Sequence, residues 1–227
     1  MTADELYQQA FRDEIAGLKP ASLCDVGCGT GTLLTYARSL GIAAAGVEPD
    51  AAKVADASAL GLDIRAGTAE ALPFPDAAFD LVTFENSLHH VTEIGRALAE
   101  AMRVARRAVV IVDPWFDLSI PSQAVGDRYE RWMKTLDRMT GMVHWDPIPA
   151  GEIAADCNGS AVIVRHLLQL TPMSNEAFDY FAGRAQPHKG SAIYKANGMD
   201  QELAAIQAAF QSTGITEAGA LVVTVLK

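Results

Sequence analysis

The hydrophobic positions of this chain switch repeatedly between two periods. From Thr2 to Leu18, the residues Leu6, Ala10, Phe11, Ile15 and Leu18 form a stripe at helical spacing, and Thr2 followed three residues later by Glu5 predicts a capped start. A short apolar run over 21–26 then leads straight into Gly27-Cys28-Gly29-Thr30-Gly31. Helical spacing resumes with Leu33, Leu34, Tyr36, Ala37 and Leu40, and Gly41 supplies the stop. The same alternation predicts strands over 42–47, 62–66, 79–84 and 108–112. Between them it predicts helices over 50–60, capped by Asp50, and over 93–104.

Beyond Asp113 the rhythm loosens. Residues 114–121 read as a loop, 122–139 and 150–156 as helices, 161–170 as a strand, 174–181 and 200–211 as helices, and 221–226 as a closing strand. Strands alternating with helices at this spacing build parallel sheets with helices on both faces. The expected fold is therefore α/β, a three-layer sandwich around a mostly parallel seven-stranded sheet. The expected organisation is one domain over 1–227, with a core of about 20–113 and 150–227 and a helical lid of about 114–149 inserted after the fifth strand.

Composition narrows the chemistry. A net charge of -10 argues against nucleic acid as a partner, because neutralising phosphates requires clustered Lys and Arg. The tight group Arg103, Arg106 and Arg107 stands at a predicted helix end, where it is expected to complement the helix dipole. No stretch approaches the roughly 20 apolar residues of a membrane span. The early acids Asp4 and Glu5, with no basic segment leading into an apolar run, predict a cytoplasmic protein. Cys24, Cys28 and Cys157 read as reduced thiols, and no further Cys or His pair completes a zinc site around the first two, so no metal is expected. Oligomeric state leaves no mark on the pattern.

The glycine-rich turn between the first strand and its helix is a device for bringing a cofactor against backbone amides. Its glycines fall at 27, 29 and 31, whereas a dinucleotide fingerprint would place glycine at 32, which is Thr32. Glu48 ends the next strand, where a carboxylate can accept both hydroxyls of a ribose.

The stretch Asp25-Val26-Gly27-Cys28-Gly29-Thr30-Gly31 resembles motif I of the class I S-adenosylmethionine-dependent methyltransferases. Gly67 to Asp76 followed by Phe79-Asp80-Leu81-Val82 resembles the segment around that family's third and fourth strands. Leu88-His89-His90-Val91 resembles a segment of its type 11 branch, which includes ubiquinone and menaquinone biosynthesis methyltransferases. The resemblance covers about 20–113. It implies a Rossmann-like fold, S-adenosylmethionine as cofactor with S-adenosylhomocysteine as product, and methyl transfer to a small molecule.

The resemblance also distributes roles. Gly27, Cys28, Gly29, Thr30 and Gly31 would pass beneath the methionine part, with Asp25 ordering the loop and the amino group. Glu48 would hold the ribose diol and Pro49 would flank the adenine. Thr68, standing where relatives carry aspartate, would reach the adenine together with Ala69, and Glu70 beside them would belong to the cofactor site. Glu85 and Asn86 would lie near the methionine chain. Val104-Ala105-Arg106-Arg107-Ala108 replaces the family's Leu-Lys-Pro-Gly-Gly turn.

Methyl transfer from a sulfonium is an in-line displacement, so alignment matters more than a fixed triad, and a base is needed only where the acceptor must lose a proton. His89 and His90, just beyond the fourth strand, are the candidate bases; a packed, loop-shaping role is the alternative reading of both. His166 is expected to be structural. Trp115, Phe116, Tyr129, Trp132, His144 and Trp145 are the candidate acceptor-pocket residues, against the alternative that Tyr129 and Trp132 form the core face of a helix. Two other functions stay open at this point: a nicotinamide-dependent oxidoreductase, and a non-catalytic cofactor-binding regulator or scaffold.

Overall fold

The computed structural model describes residues 2–157 and 159–227. It opens with the predicted cap. The Thr2 hydroxyl accepts the amide of Glu5 at 3.2 Å and the Glu5 carboxylate accepts that of Thr2 at 2.8 Å, which starts α1, Ala3–Leu18. Tyr7, Phe11 and Ile15, spaced four apart, bury one stripe of that helix.

The chain then alternates as expected: β1 Ser22–Val26, α2 Thr32–Ser39, β2 Ala43–Glu48, α3 Ala51–Ala59, β3 Asp63–Ala66, β4 Phe79–Glu85, α4 Ile94–Val104 and β5 Ala105–Trp115. Asp50 caps α3 by accepting the amides of Ala52 and Lys53. The later elements are α5 Pro121–Met139, α6 Ala150–Asp156, β6 Ala161–Leu167, α7 Asn175–Gly183, α8 Ala192–Ala196, α9 Met199–Thr213 and β7 Gly219–Leu226. The short helix α8 falls where the sequence pattern shows only a Gly- and Lys-containing connection. Its five residues are too few to display a helical stripe.

The seven strands form one mostly parallel sheet in the order β3-β2-β1-β4-β5-β7-β6, flanked by helices. β1 therefore lies between β2 and β4. The chain leaves β1 towards one edge and later returns on its other side, which opens a crevice at the carboxyl ends of β1 and β4.

Helix α4 runs into β5 with no intervening turn. The ammonium of Lys227 donates to the carbonyls of Met102 and Ala105, both at 2.8 Å, so the end of α4 is capped without the glycine that the resemblance led us to expect. The neighbouring arginines serve other carbonyls and acids. Arg107 donates to the carbonyls of Leu18 and Lys19 at the end of α1, Arg106 pairs with Asp80, and Arg103 holds Glu100, Asp76 and the carbonyls of Leu72 and Phe74. They work within the fold, although the helix that Arg107 caps is α1 rather than α4.

By its contacts the chain divides into two compact units. The first comprises residues up to Asp113 together with Ile148–Leu167 and Leu221–Lys227; the second comprises Pro114–Pro147 and Leu168–Ala220. Segment 168–220 thus groups with the insert rather than with the sheet, so the second unit is larger than the expected lid of 114–149. Inside it the rings of Tyr129 and Phe178 stack at 4.6 Å and those of Phe178 and Phe210 at 4.9 Å. The Tyr129 hydroxyl donates to the Phe178 carbonyl at 2.6 Å, and the Trp132 indole donates to that of Met199 at 3.0 Å. Leu136, Tyr194, Ile206 and Ile215 complete this core.

Helix α5 approaches its neighbours closely at Gly126. A Cβ there would stand 2.6 Å from the carbonyl oxygen of Thr216 and 2.9 Å from the Phe116 ring. Gly126→Ala gains about 1 kcal/mol of helix propensity, but the overlap is with backbone and costs roughly 1–3 kcal/mol. We expect a net loss of stability, read as a lower urea midpoint at unchanged slope; a midpoint equal to or above that of the parent would contradict this packing.

Candidate functional site

The site is assembled at the tips of β1, β2 and β4, all within the first unit. Leaving β1, the chain turns at Gly27 (φ 72°), Gly29 (φ 54°) and Gly31 (φ 85°), left-handed conformations that favour glycine. The amides of Gly27 and Cys28 both donate to the carbonyl of Val47, which ties this loop to β2. A Cβ on Gly27 would meet the Cβ of Ser87 at 2.6 Å, so the loop needs glycine to pass the segment that follows β4. The Ser87 hydroxyl fastens that approach by donating to the Val26 carbonyl at 2.6 Å. Gly29 differs: a Cβ there would have no protein atom within 4 Å, and Thr30 beside it is exposed. This shelf of backbone faces open space.

Glu48 is 4% exposed and held from two sides. One carboxylate oxygen accepts the Gly29 amide at 2.9 Å and the other accepts that of Asp50 at 3.0 Å. Each oxygen keeps a lone pair for a further donor, which suits a diol. Pro49 next to it is exposed. The Asp25 carboxylate accepts the Thr83 hydroxyl at 2.9 Å. Burial pushes its pKa well above the ordinary value of 3.8, and the charges of Glu85 and Glu48 push the same way. Burial likewise raises Glu85, opposed by the charge of Arg12. Asp25, Glu48 and Glu85 therefore surround the shelf with acid, a donor set that fits a cationic sulfonium and ammonium.

Cys28 contributes backbone only. Its thiol is pushed up to about 12 by burial and by the charge of Asp25, and it packs where a Cβ on Gly46 would lie. Past β3, Thr68 is exposed and Ala69 buried. Glu70 is engaged within the chain: one of its oxygens accepts the amides of Thr92 at 2.7 Å and Glu93 at 3.2 Å, at the start of α4. The carboxylate caps a helix that brings no side-chain cap of its own. Asn86, at the tip of β4, adopts φ 51°, an uncommon conformation for which asparagine is among the better tolerated side chains.

Of the two candidate bases, His89 is buried and His90 exposed, with ring centres 4.3 Å apart. Nδ1 of His89 lies 2.8 Å from an oxygen of Asp113, a buried residue near the end of β5. The other Asp113 oxygen is buried and has no hydrogen-bond partner among the described residues. Sequence reading passed over Asp113 as a functional group; its position at a strand tip was the available signal.

The six insert candidates lie in the second unit. Tyr129 and Trp132 belong to its core, with their polar atoms satisfied internally, which corrects the pocket-lining expectation in favour of the core-face alternative. Phe116 is buried against the Gly126 position, and Trp115 is half-buried. The His144 ring bonds Asp137 at 2.8 Å. Trp145 is 46% exposed, and its carbonyl accepts the buried ammonium of Lys134.

Residues 24–112 match the family model described as a methyltransferase domain. Ajmaline N-methyltransferase of Rauvolfia serpentina is 32% identical over 130 residues, 52% of this chain and 45% of that protein. A ubiquinone/menaquinone biosynthesis C-methyltransferase of Methylobacterium nodulans is 38% identical over 96 residues, 38% of this chain and 38% of that protein. The chain thus spans less than half the length of these relatives. A solved structure of a SAM-dependent methyltransferase from Archaeoglobus fulgidus has the same fold: TM-score 0.62 at 14% identity, over 100% of this chain and 95% of that one.

The buried acid of motif I gives a direct test. Asp25→Asn keeps an acceptor for Thr83 and removes a charge that burial disfavours. A carboxyl with a raised folded-state pKa contributes stability below its ordinary value of 3.8 and loses it as pH rises through the folded value. We expect the ligand-free variant to melt above the parent at pH 7, by a few degrees, and the gap to close as pH falls towards 3.8. A variant that melts lower at pH 7 would contradict the burial cost.

Proposed function

From the membership of segment 24–112 in the class I S-adenosylmethionine-dependent methyltransferases of the type 11 branch, we propose that this protein binds S-adenosylmethionine at the tips of β1, β2 and β4 and transfers its methyl group to a small-molecule acceptor. The observation that carries the reading is the Glu48 carboxylate, buried and aimed by two backbone amides beside the open Gly29 shelf. When bound, S-adenosylmethionine supplies an electrophilic methyl group on a sulfonium with a good leaving group. The chain's own residues bind, align and exclude water.

Glu48 holds the ribose hydroxyls, and Gly29 lets the ligand approach the backbone. The charges of Asp25 and Glu85 favour the cationic centre. Where the acceptor must lose a proton, His89 takes it. A carboxylate on Nδ1 selects the ring tautomer whose Nε2 carries the lone pair, and it steadies the imidazolium that forms. The unpartnered buried oxygen of Asp113 costs stability, roughly 1–3 kcal/mol. Such an uncompensated group is what an arrangement kept for chemistry leaves behind.

A small acceptor is supported by the net charge of -10, which disfavours nucleic acid. The names of the relatives above, an alkaloid N-methyltransferase and a quinone C-methyltransferase, point the same way. No helix is long and apolar enough to cross a membrane among the described residues.

Two measurements test the proposal. Titration calorimetry with S-adenosylhomocysteine should show binding that Glu48→Ala weakens by roughly 1–3 kcal/mol and that Gly29→Val abolishes; unchanged affinity in Glu48→Ala would refute the ribose assignment. With an acceptor found by panel screening, His89→Asn should lower kcat by roughly 10²–10⁴-fold and remove the acidic limb of the pH–rate profile, with S-adenosylhomocysteine affinity retained. A retained limb would exclude His89 as the base.

A further inference from the structure

The seven-stranded sheet ends on two edges, and the chain treats them differently. At one edge β3 is four residues long, and its exposed positions include the charged Asp63 and Arg65. The Arg65 guanidinium lies over the Phe74 ring and donates to the Pro73 carbonyl, which holds the following segment beside the strand. Short length, charge and a neighbouring segment are means by which folded proteins keep a sheet from growing.

The other edge is built without them. β6 is seven residues long, and every residue from Ala161 to His166 is exposed. Val162, Ile163 and Val164 stand in a row at 36%, 45% and 38% exposure. Successive side chains of a strand point to opposite faces, so apolar surface is left on both. The strand contains no acid, and its one arginine, Arg165, is paired with Glu14 of α1 at 3.1 Å. In a chain of net charge -10, this is a stretch where a second copy meets little like-charge repulsion.

The backbone of this edge fits another strand. At the start of β6 the Ser160 amide donates to the carbonyl of Leu226, at the end of β7, at 2.7 Å, so the two strands run antiparallel. In such a ladder alternate residues turn both amide and carbonyl to the same side. Val162 and Val164, in step with Ser160, turn theirs to β7. Ala161, Ile163 and Arg165 turn theirs outward, as a row of donors and acceptors.

The side-chain order says which strand fits. Val162-Ile163-Val164 reads the same in both directions. A two-fold axis through Ile163 therefore sets the strand antiparallel to its own copy with Ile163 against Ile163 and Val162 against Val164. Ala161 then lies opposite Arg165, and no like charges are opposed.

We propose that β6 is a self-association edge, at which two copies of this chain pair antiparallel about Ile163 and join their sheets into one. Burying the exposed strand residues of both copies covers roughly 1,000 Å², below the range of tight complexes, so the dimer is reversible and forms as concentration rises. The pairing is independent of the methyltransferase reading.

Sedimentation velocity on the intact chain, through the micromolar range, should show a monomer passing into a dimer. Ile163→Lys brings two ammonium groups together at the axis and should stay monomeric throughout, with its urea midpoint unchanged because the position is exposed. Cross-linking reads the register independently and decides the matter if that variant folds poorly. Cys24, Cys28 and Cys157 are buried, so a short thiol-specific bifunctional reagent should leave the parent uncoupled. It should couple Ile163→Cys into a covalent dimer and leave Ala161→Cys, displaced from the axis, largely uncoupled. A dimer that survives Ile163→Lys, or equal coupling through Ala161→Cys and Ile163→Cys, overturns the pairing. A parent that stays monomeric at every concentration overturns it in favour of a strand from a different protein.

Discussion

The carboxylate of Glu48 bridges two loops that would otherwise be independent. It accepts the Gly29 amide from the turn after β1 and the Asp50 amide from the turn after β2. Those turns flank the strand from which the chain departs in both directions across the sheet. Fixing them together defines a crevice floor of set width, and everything else at the site is placed against it. Ser87 reaches the same floor from β4 through the Val26 carbonyl, and only the absence of a side chain at Gly27 lets it do so. A charged acceptor makes stronger hydrogen bonds than a neutral one would, which suits a link on which two loops depend.

The arrangement has a cost that shows elsewhere in the first unit. Asp25 is buried among other acids and partnered chiefly by the Thr83 hydroxyl. Asp113 leaves one oxygen unpartnered, and Arg12 leaves one nitrogen so. Asp113 and Arg12 lie on different elements, β5 and α1, yet each keeps a polar atom that the surrounding structure leaves unsatisfied. Interior polar groups away from the site are handled differently: Gln123 of the second unit donates to Thr216 and to the Glu217 carbonyl, and Thr216 also meets Ser122. Satisfaction is not complete there either, since the Thr171 hydroxyl is buried with no hydrogen-bond partner among the described residues.

Much of this was legible in the sequence because it depends on near neighbours. The capping box of Thr2 and Glu5, the Asp50 cap and the alternation of periods up to β5 are local events, and the structure has them where the pattern puts them. The glycine loop and Glu48 were readable for the same reason, since spacing along the chain sets their relation to strand ends. What escaped notice depends on distant partners. Glu70 caps α4 from 22 residues away, and Asp113 meets His89 across 24. No periodicity records either pairing. Tyr129 and Trp132 show the limit of composition: aromatic residues gathered in an insert suggest a pocket, whereas here they help to fill that unit's own core. The way α4 ends escaped because its cap is a lysine more than a hundred residues further on.

The division of the chain into two units also bears on how such a protein can diversify. The backbone passes from one unit to the other at four places, after Asp113, Pro147, Leu167 and Ala220. The segment matched to the methyltransferase family ends at 112, just before the first of them. The second unit fills its own interior with aromatic residues from α5, α7 and α9. Insertion, deletion or wholesale exchange between these junctions leaves the matched segment untouched. A lineage built on this plan can vary the sequence of its insert while the stretch that carries the glycine loop and Glu48 stays as it is.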